Sequence, residues 1–177
     1  MTALLLSATL LLPLALFAAC VSPAWRKRMP KLLALAPLPG LAAALFAVDA
    51  SPLVMDADHL RLTIGLDRPA ALLLGVVALL WSLAGAYANA YLGREPNAGG
   101  FSAWWLLTLT GSLGVFLAGD LISFYLVFAM ASLAAYGLVV HDGTARAQRA
   151  AKIYLLLAVL GEIVLLLAFA LLAEAAT

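Results

Sequence analysis

Apolar residues in this chain do not alternate with polar ones; they run together in long blocks parted by short polar or Gly/Pro-rich connections. A membrane-spanning helix needs about 20 mostly apolar residues. Blocks of that order fall at about 3–21, 32–48, 70–92, 101–118, 121–140 and 153–172. The clearest stretch runs from Phe101 to Val140 with one charged side chain, Asp120, directly after Gly119. It is long enough for two spanning helices joined by a tight turn at Gly119-Asp120. The pattern predicts an all-α, polytopic membrane protein of about six transmembrane helices, forming a single membrane domain over residues 1–177. Pro37 and Pro39 interrupt the second block, so that helix is either kinked or begins after Gly40 and is short.

The connections differ from one another. Leu60-Arg61-Leu62-Thr63-Ile64 alternates as a short extended segment does. Leu66-Asp67-Arg68-Pro69 reads as a helix start, with Asp67 as cap and Pro69 in the first turn. Arg26, Lys27, Arg28, Lys31, Arg94, Arg146, Arg149 and Lys152 lie in the odd connections, whereas the even ones hold Arg61 and Arg68 together with Asp49, Asp56, Asp58 and Asp67. By the positive-inside rule the odd connections are cytoplasmic and both termini face outward, N-out and C-out. The first block ends in Phe-Ala-Ala-Cys at Cys20, loosely like a lipoprotein cleavage box. With no Lys or Arg before it, the block reads as a retained first helix rather than a removed signal.

Composition supports the same class: 66% of residues are hydrophobic, 11% are charged and the mean hydropathy is +1.10. This points to a multi-pass protein of the cell membrane, bacterial inner membrane by expectation, with the lipid bilayer as its first partner. A net charge of +1 argues for no nucleic-acid partner. The single cysteine, Cys20, excludes an internal disulfide. No metal-ligand spacing, phosphate loop or nucleophile set is present in the sequence, so no metal site, cofactor or catalytic residue is expected. His59 and His141 lie in connections on opposite sides, and His141-Asp142-Gly143 reads as a helix exit. Trp25, Trp104 and Trp105 read as interfacial anchors, and Gly111-x-x-Gly114 as a close helix contact.

Four ionisable side chains remain as candidates. Glu162 lies about 13 Å into the last block at 1.5 Å per residue, near the bilayer midplane. An intramembrane carboxylate costs several kcal/mol, on the order of 2.5 or more, unless protonated, hydrated or paired. Two readings therefore stand: a proton-transfer group, or a protonated acid bonded to a neighbouring helix. Lys152 marks the cytoplasmic end of the same helix, as a snorkelling charge or as a second proton-transfer candidate. Asp120, between a C-terminal glycine and a new helix, reads as a cap rather than a transport group, like Asp67.

These residues resemble a known family. Ala118-Gly119-Asp120-Leu121, and the Ser132 and Tyr136 of the following helix, are similar to marks on the fourth and fifth helices of the antiporter-like proton-translocating subunits of NADH:quinone oxidoreductase, Mrp antiporters and membrane-bound hydrogenases. Gly65-Leu66-Asp67, Tyr87-Ala88-Asn89-Ala90-Tyr91 and the basic run Arg149 to Lys152 are similar to further marks of that family. The resemblance implies proton or cation/proton transport in a multisubunit membrane complex. It departs in two ways. The family's fifth-helix glutamate, which pairs with a seventh-helix lysine, corresponds here to Ala129, and this chain enters only the first of the family's two inverted repeats. The resemblance thus implies a partial or split antiporter-like subunit working with partner polypeptides, Glu162 being a candidate replacement for the lost carboxylate. The alternative is a structural or assembly subunit of such a complex without its own proton route.

Overall fold

The computed structural model describes residues 2–57, 60–92 and 98–175. Asp58, His59 and Arg94 lie outside them. Among the described residues, five helices are long and apolar enough to cross a membrane: α1 (Thr2–Ala19), α5 (Arg68–Leu92), α6 (Ala98–Leu117), α7 (Leu121–Val139) and α8 (Ala145–Ala175). Two single turns, α2 (Pro23–Arg26) and α3 (Met29–Leu32), follow α1, and a short helix, α4 (Leu38–Phe46), comes next. Strands β1 (Leu53–Ala57) and β2 (Leu60–Ile64) form an antiparallel hairpin between α4 and α5.

The second apolar block is therefore not one helix. Pro37 forms the N-cap of α4 and Pro39 sits in its first turn, where a missing N–H costs nothing. Residues 33–37 form a turn whose backbone stays bonded, with Leu35 N–H donating to Leu32 O at 3.0 Å and Leu38 N–H to Leu35 O at 3.1 Å. The broken segment nevertheless runs antiparallel along α5. A Cβ on Gly85 would lie 2.6 Å from the Leu33 carbonyl carbon; Gly40 faces Ala78, Ala44 faces Gly75, and the Arg68 Nε–H donates to Asp49 Oδ2 at 2.9 Å. Among the described residues there are thus five continuous helices and one interrupted passage, the latter where the sequence predicted a kinked or short second helix. Small side chains at the contacts let the irregular backbone pass between helices, where protein rather than lipid surrounds it.

Helix α6 is the centre, with 56% of its most apolar stretch buried against 6% for α8. Leu106, Leu109, Leu113 and Leu117 are fully buried on α6 and meet Leu6 of α1, Leu33 of the turn and Leu74 of α5 in one core. At Gly111 a Cβ would lie 2.5 Å from Ala131 N and 2.6 Å from Val127 O, so α6 and α7 touch backbone to backbone. Trp105 departs from the interfacial reading. It is 3% exposed and packs edge to face on Trp81 at 4.8 Å, whereas Trp104 and Trp25 remain partly exposed. Adjacent helical residues point about 100° apart, so two neighbouring tryptophans cannot share one face.

The ends of the bundle sort by charge. Arg26 packs over Gly99 and Phe101 stacks edge to face on His141 at 5.0 Å, which brings the first connection, the start of α6 and the end of α7 to one basic end. Asp49, Asp67 and Asp120 gather at the other end with the hairpin.

Candidate functional site

Asp120 joins three elements at the acidic end. Its extended backbone (φ −145°, ψ 164°) places the side chain over the first turn of α7. Ser123 N–H donates to Oδ1 at 2.8 Å and Ser123 Oγ–H to Oδ2 at 2.6 Å, as an N-cap requires. Oδ2 also accepts from Thr63 N–H of β2 at 2.6 Å, and Ser123 Oγ accepts the same N–H at 3.0 Å. Gly119 N–H donates to Thr63 O and Gly65 N–H to Leu117 O, both at 2.8 Å, so the hairpin pairs its backbone with the α6–α7 turn. Burial pushes the Asp120 carboxyl up, but the bonds from Ser123 and Thr63 outweigh it and hold the group below its usual range. The outcome is an ionised latch. Thr63 escaped sequence reasoning because no local signal ties it to a residue so far along the chain.

Asp67 Oδ1 accepts Ala70 N–H at 2.8 Å in the first turn of α5. Lys152 is exposed on α8, about 15 Å along the helix from Glu162 at 1.5 Å per residue. The structure does not bring these two candidates together.

Glu162 is the unusual group. Helix α8 is longer than a bilayer core, so its first turns up to Lys152 stand beyond the apolar layer and Glu162 falls near the middle of the helix. Ala151 and Glu162 are buried on α8, and Ala147, Tyr154, Leu155, Ala158, Leu165 and Phe169 are partly buried. Spacings of three and four place these residues on one stripe, the face toward α7. Glu162 occupies a packing position in that stripe. It is 6% exposed, and both carboxyl oxygens are buried without a hydrogen-bond partner among the described residues.

Two contacts fix the depth of Glu162 against α7. Tyr154 Oη–H donates to Ser132 O at 2.8 Å on the basic side, and Phe169 meets Phe124 edge to face at 6.0 Å on the acidic side. Antiparallel helices bracketed in this way put Glu162 between the levels of Phe124 and Ala131, a span that contains Ala129. Ala129 is the position where the resemblance led one to expect a carboxylate.

Residues 118–177 match the family model described as NADH:quinone oxidoreductase/Mrp antiporter, TM. NADH-quinone oxidoreductase subunit N of Desulforudis audaxviator (strain MP104C) is 40% identical over 80 residues, covering 44% of this chain and 16% of that protein. The last third of the chain is thus similar to the antiporter-like family. A chain in the structure of the membrane-bound sulfane sulfur reductase (MBS), an archaeal respiratory membrane complex, shares the fold of this chain. That match has a TM-score of 0.65 at 19% identity and covers 91% of this chain and 34% of the other. The chain thus spans about a sixth and a third of the lengths of these two relatives, and the region matched by the family model carries Asp120, Lys152 and Glu162 alike.

Proposed function

We propose that this antiporter-like chain takes part in proton or cation/proton transport within a respiratory-type membrane complex, and that Glu162 is its proton-exchanging group. The observation that carries the reading is the buried Glu162 carboxyl, seated in a helix seam with both oxygens unpartnered among the described residues. An ionisable group buried in a membrane seam without a partner is costly to keep and is a functional candidate by default. Its level on α8, within the stretch of α7 from Phe124 to Ala131 that contains Ala129, supports its standing in for the carboxylate that the family keeps on the neighbouring helix. One carboxyl cannot by itself form a route across the bilayer, so other polypeptide supplies the remaining groups.

The latch at Asp120 and the backbone contact at Gly111 favour a second reading, a packing or assembly subunit without its own proton route. Replacement of Glu162 separates the two. In the assembled complex, Glu162→Gln keeps volume and hydrogen-bonding capacity but cannot titrate. Loss of ion-coupled proton uptake in vesicles, with assembly intact, is the expected result. Full uptake with the variant rejects Glu162 as the carrier and leaves the assembly reading.

A further inference from the structure

Helices α4 and α5 pack through small side chains and leave a groove on the outside of the bundle. A Cβ on Gly75 would lie 3.4 Å from the Ala44 Cβ, and Ala71, one turn away, is buried. Leu45 of α4 and Leu72, Val76 and Leu79 of α5 stand exposed around this floor, in a groove of about 540 Å³. Arg68 lines its acidic end, and Leu79 lies about 16 Å further along the helix at 1.5 Å per residue. That is the depth of one leaflet, half of a hydrocarbon core about 30 Å thick. At the mouth stand two opposite charges. Asp49, held by its N–H donating to Leu66 O at 2.9 Å, accepts from Arg68 Nε–H at 2.9 Å. Both side chains are exposed, 83% for Arg68 and 54% for Asp49. The pair uses Nε–H of the guanidinium and one carboxylate oxygen, so each charge keeps polar atoms without a partner among the described residues. We propose that this groove seats an acyl chain of a zwitterionic phospholipid with a primary ammonium, of the phosphatidylethanolamine kind, from the leaflet at the acidic end. Its phosphate meets Arg68 and its ammonium meets Asp49.

The mouth separates the occupants that an apolar groove could take. An apolar helix from another polypeptide matches the walls but gains nothing from Arg68 and Asp49, whereas this phospholipid brings a charge-assisted hydrogen bond for each. An anionic headgroup answers Arg68 alone and meets the carboxylates of Asp49 and Asp67, both exposed at this end. A choline headgroup carries its positive charge without an N–H, so it cannot donate to Asp49. The groove involves neither α7 nor α8, and the inference stands apart from the transport reading of Glu162.

The test uses photoactivatable lipids in vesicles that hold the assembled protein. Phosphatidylethanolamine, phosphatidylcholine and phosphatidylglycerol, each with the same diazirine-bearing chain, are cross-linked in turn, and the labelled positions are read by mass spectrometry. Labelling at Leu156, Leu160 and Ile163, exposed apolar positions of α8, normalises for ordinary lipid contact. The ethanolamine lipid should label Leu45, Leu72 and Val76 about fivefold more than either other lipid, the factor that an exposed charge contact carries. Asp49 has left-handed backbone (φ 55°), which Asn tolerates, so Asp49→Asn keeps the fold and should abolish that preference. Equal labelling by the three lipids makes the groove ordinary lipid-facing surface and overturns the inference. A preference for either other lipid overturns it as well, and so does an ethanolamine preference that survives Asp49→Asn. Labelling of α8 with none in the groove would mean that another polypeptide covers this face, and the inference falls.

Discussion

At the scale of single residues, the same side-chain chemistry has opposite meanings at Asp120 and Glu162. Asp120 gathers three donors at 2.6 to 2.8 Å, whereas Glu162 has no hydrogen-bond partner among the described residues. Replacing Asp120 with Ala removes an N-cap, typically about 1 kcal/mol, and leaves Thr63 N–H sharing a weaker acceptor, for a further loss of about 1 kcal/mol. Thermal unfolding in detergent should show Asp120→Ala destabilised by about 2 kcal/mol, with Asp120→Asn between it and the parent. Because the folded Asp120 carboxyl is held below its ordinary range, its contribution is complete above about pH 4 and is lost as pH falls through the folded value. Hydrogen exchange at Thr63 should therefore stay flat from neutral pH down to that range, after correction for intrinsic rates, and accelerate below it in the parent but not in Asp120→Asn.

At the scale of elements, contact is set by where side chains are missing. Gly111 lets α6 and α7 meet along their backbones, and Leu there must push α7 away. Overpacking of that kind costs about 1 to 3 kcal/mol or more, so Gly111→Leu should lower the yield of folded protein and the melting temperature in detergent. Gly161, one residue from Glu162, has nothing within 4 Å of the point where a Cβ would stand, and Gly161→Leu should be silent in the same assays. Equal damage from both changes would mean that helix propensity, not the α6–α7 contact, governs stability. The interrupted second passage follows the same rule: Gly85 gives Leu33 and Ala34 room to cross as a turn rather than as a helix.

At the scale of the whole molecule, charge orients the bundle. With Arg146 and Arg26 at one end and Asp49 and Asp120 at the other, a reporter active only in the cytoplasm should work when fused near Arg146 and fail when fused near Ser51. The reverse pattern would invert the orientation read from the charges. The membrane class and the turn at Gly119-Asp120 were legible in the sequence, because apolar run length and turn chemistry are local properties of a chain in a bilayer. Tertiary structure alone decided that the second passage, whose break the prolines announce, runs its whole length beside α5, that Trp105 turns inward to Trp81, and that Thr63 closes the Asp120 latch. It also decided that Glu162 faces α7 in a seam bracketed by Tyr154 and Phe169. Each of these depends on which helix faces lie together, and a run that is apolar all around carries no periodic signal of which face will find a neighbour.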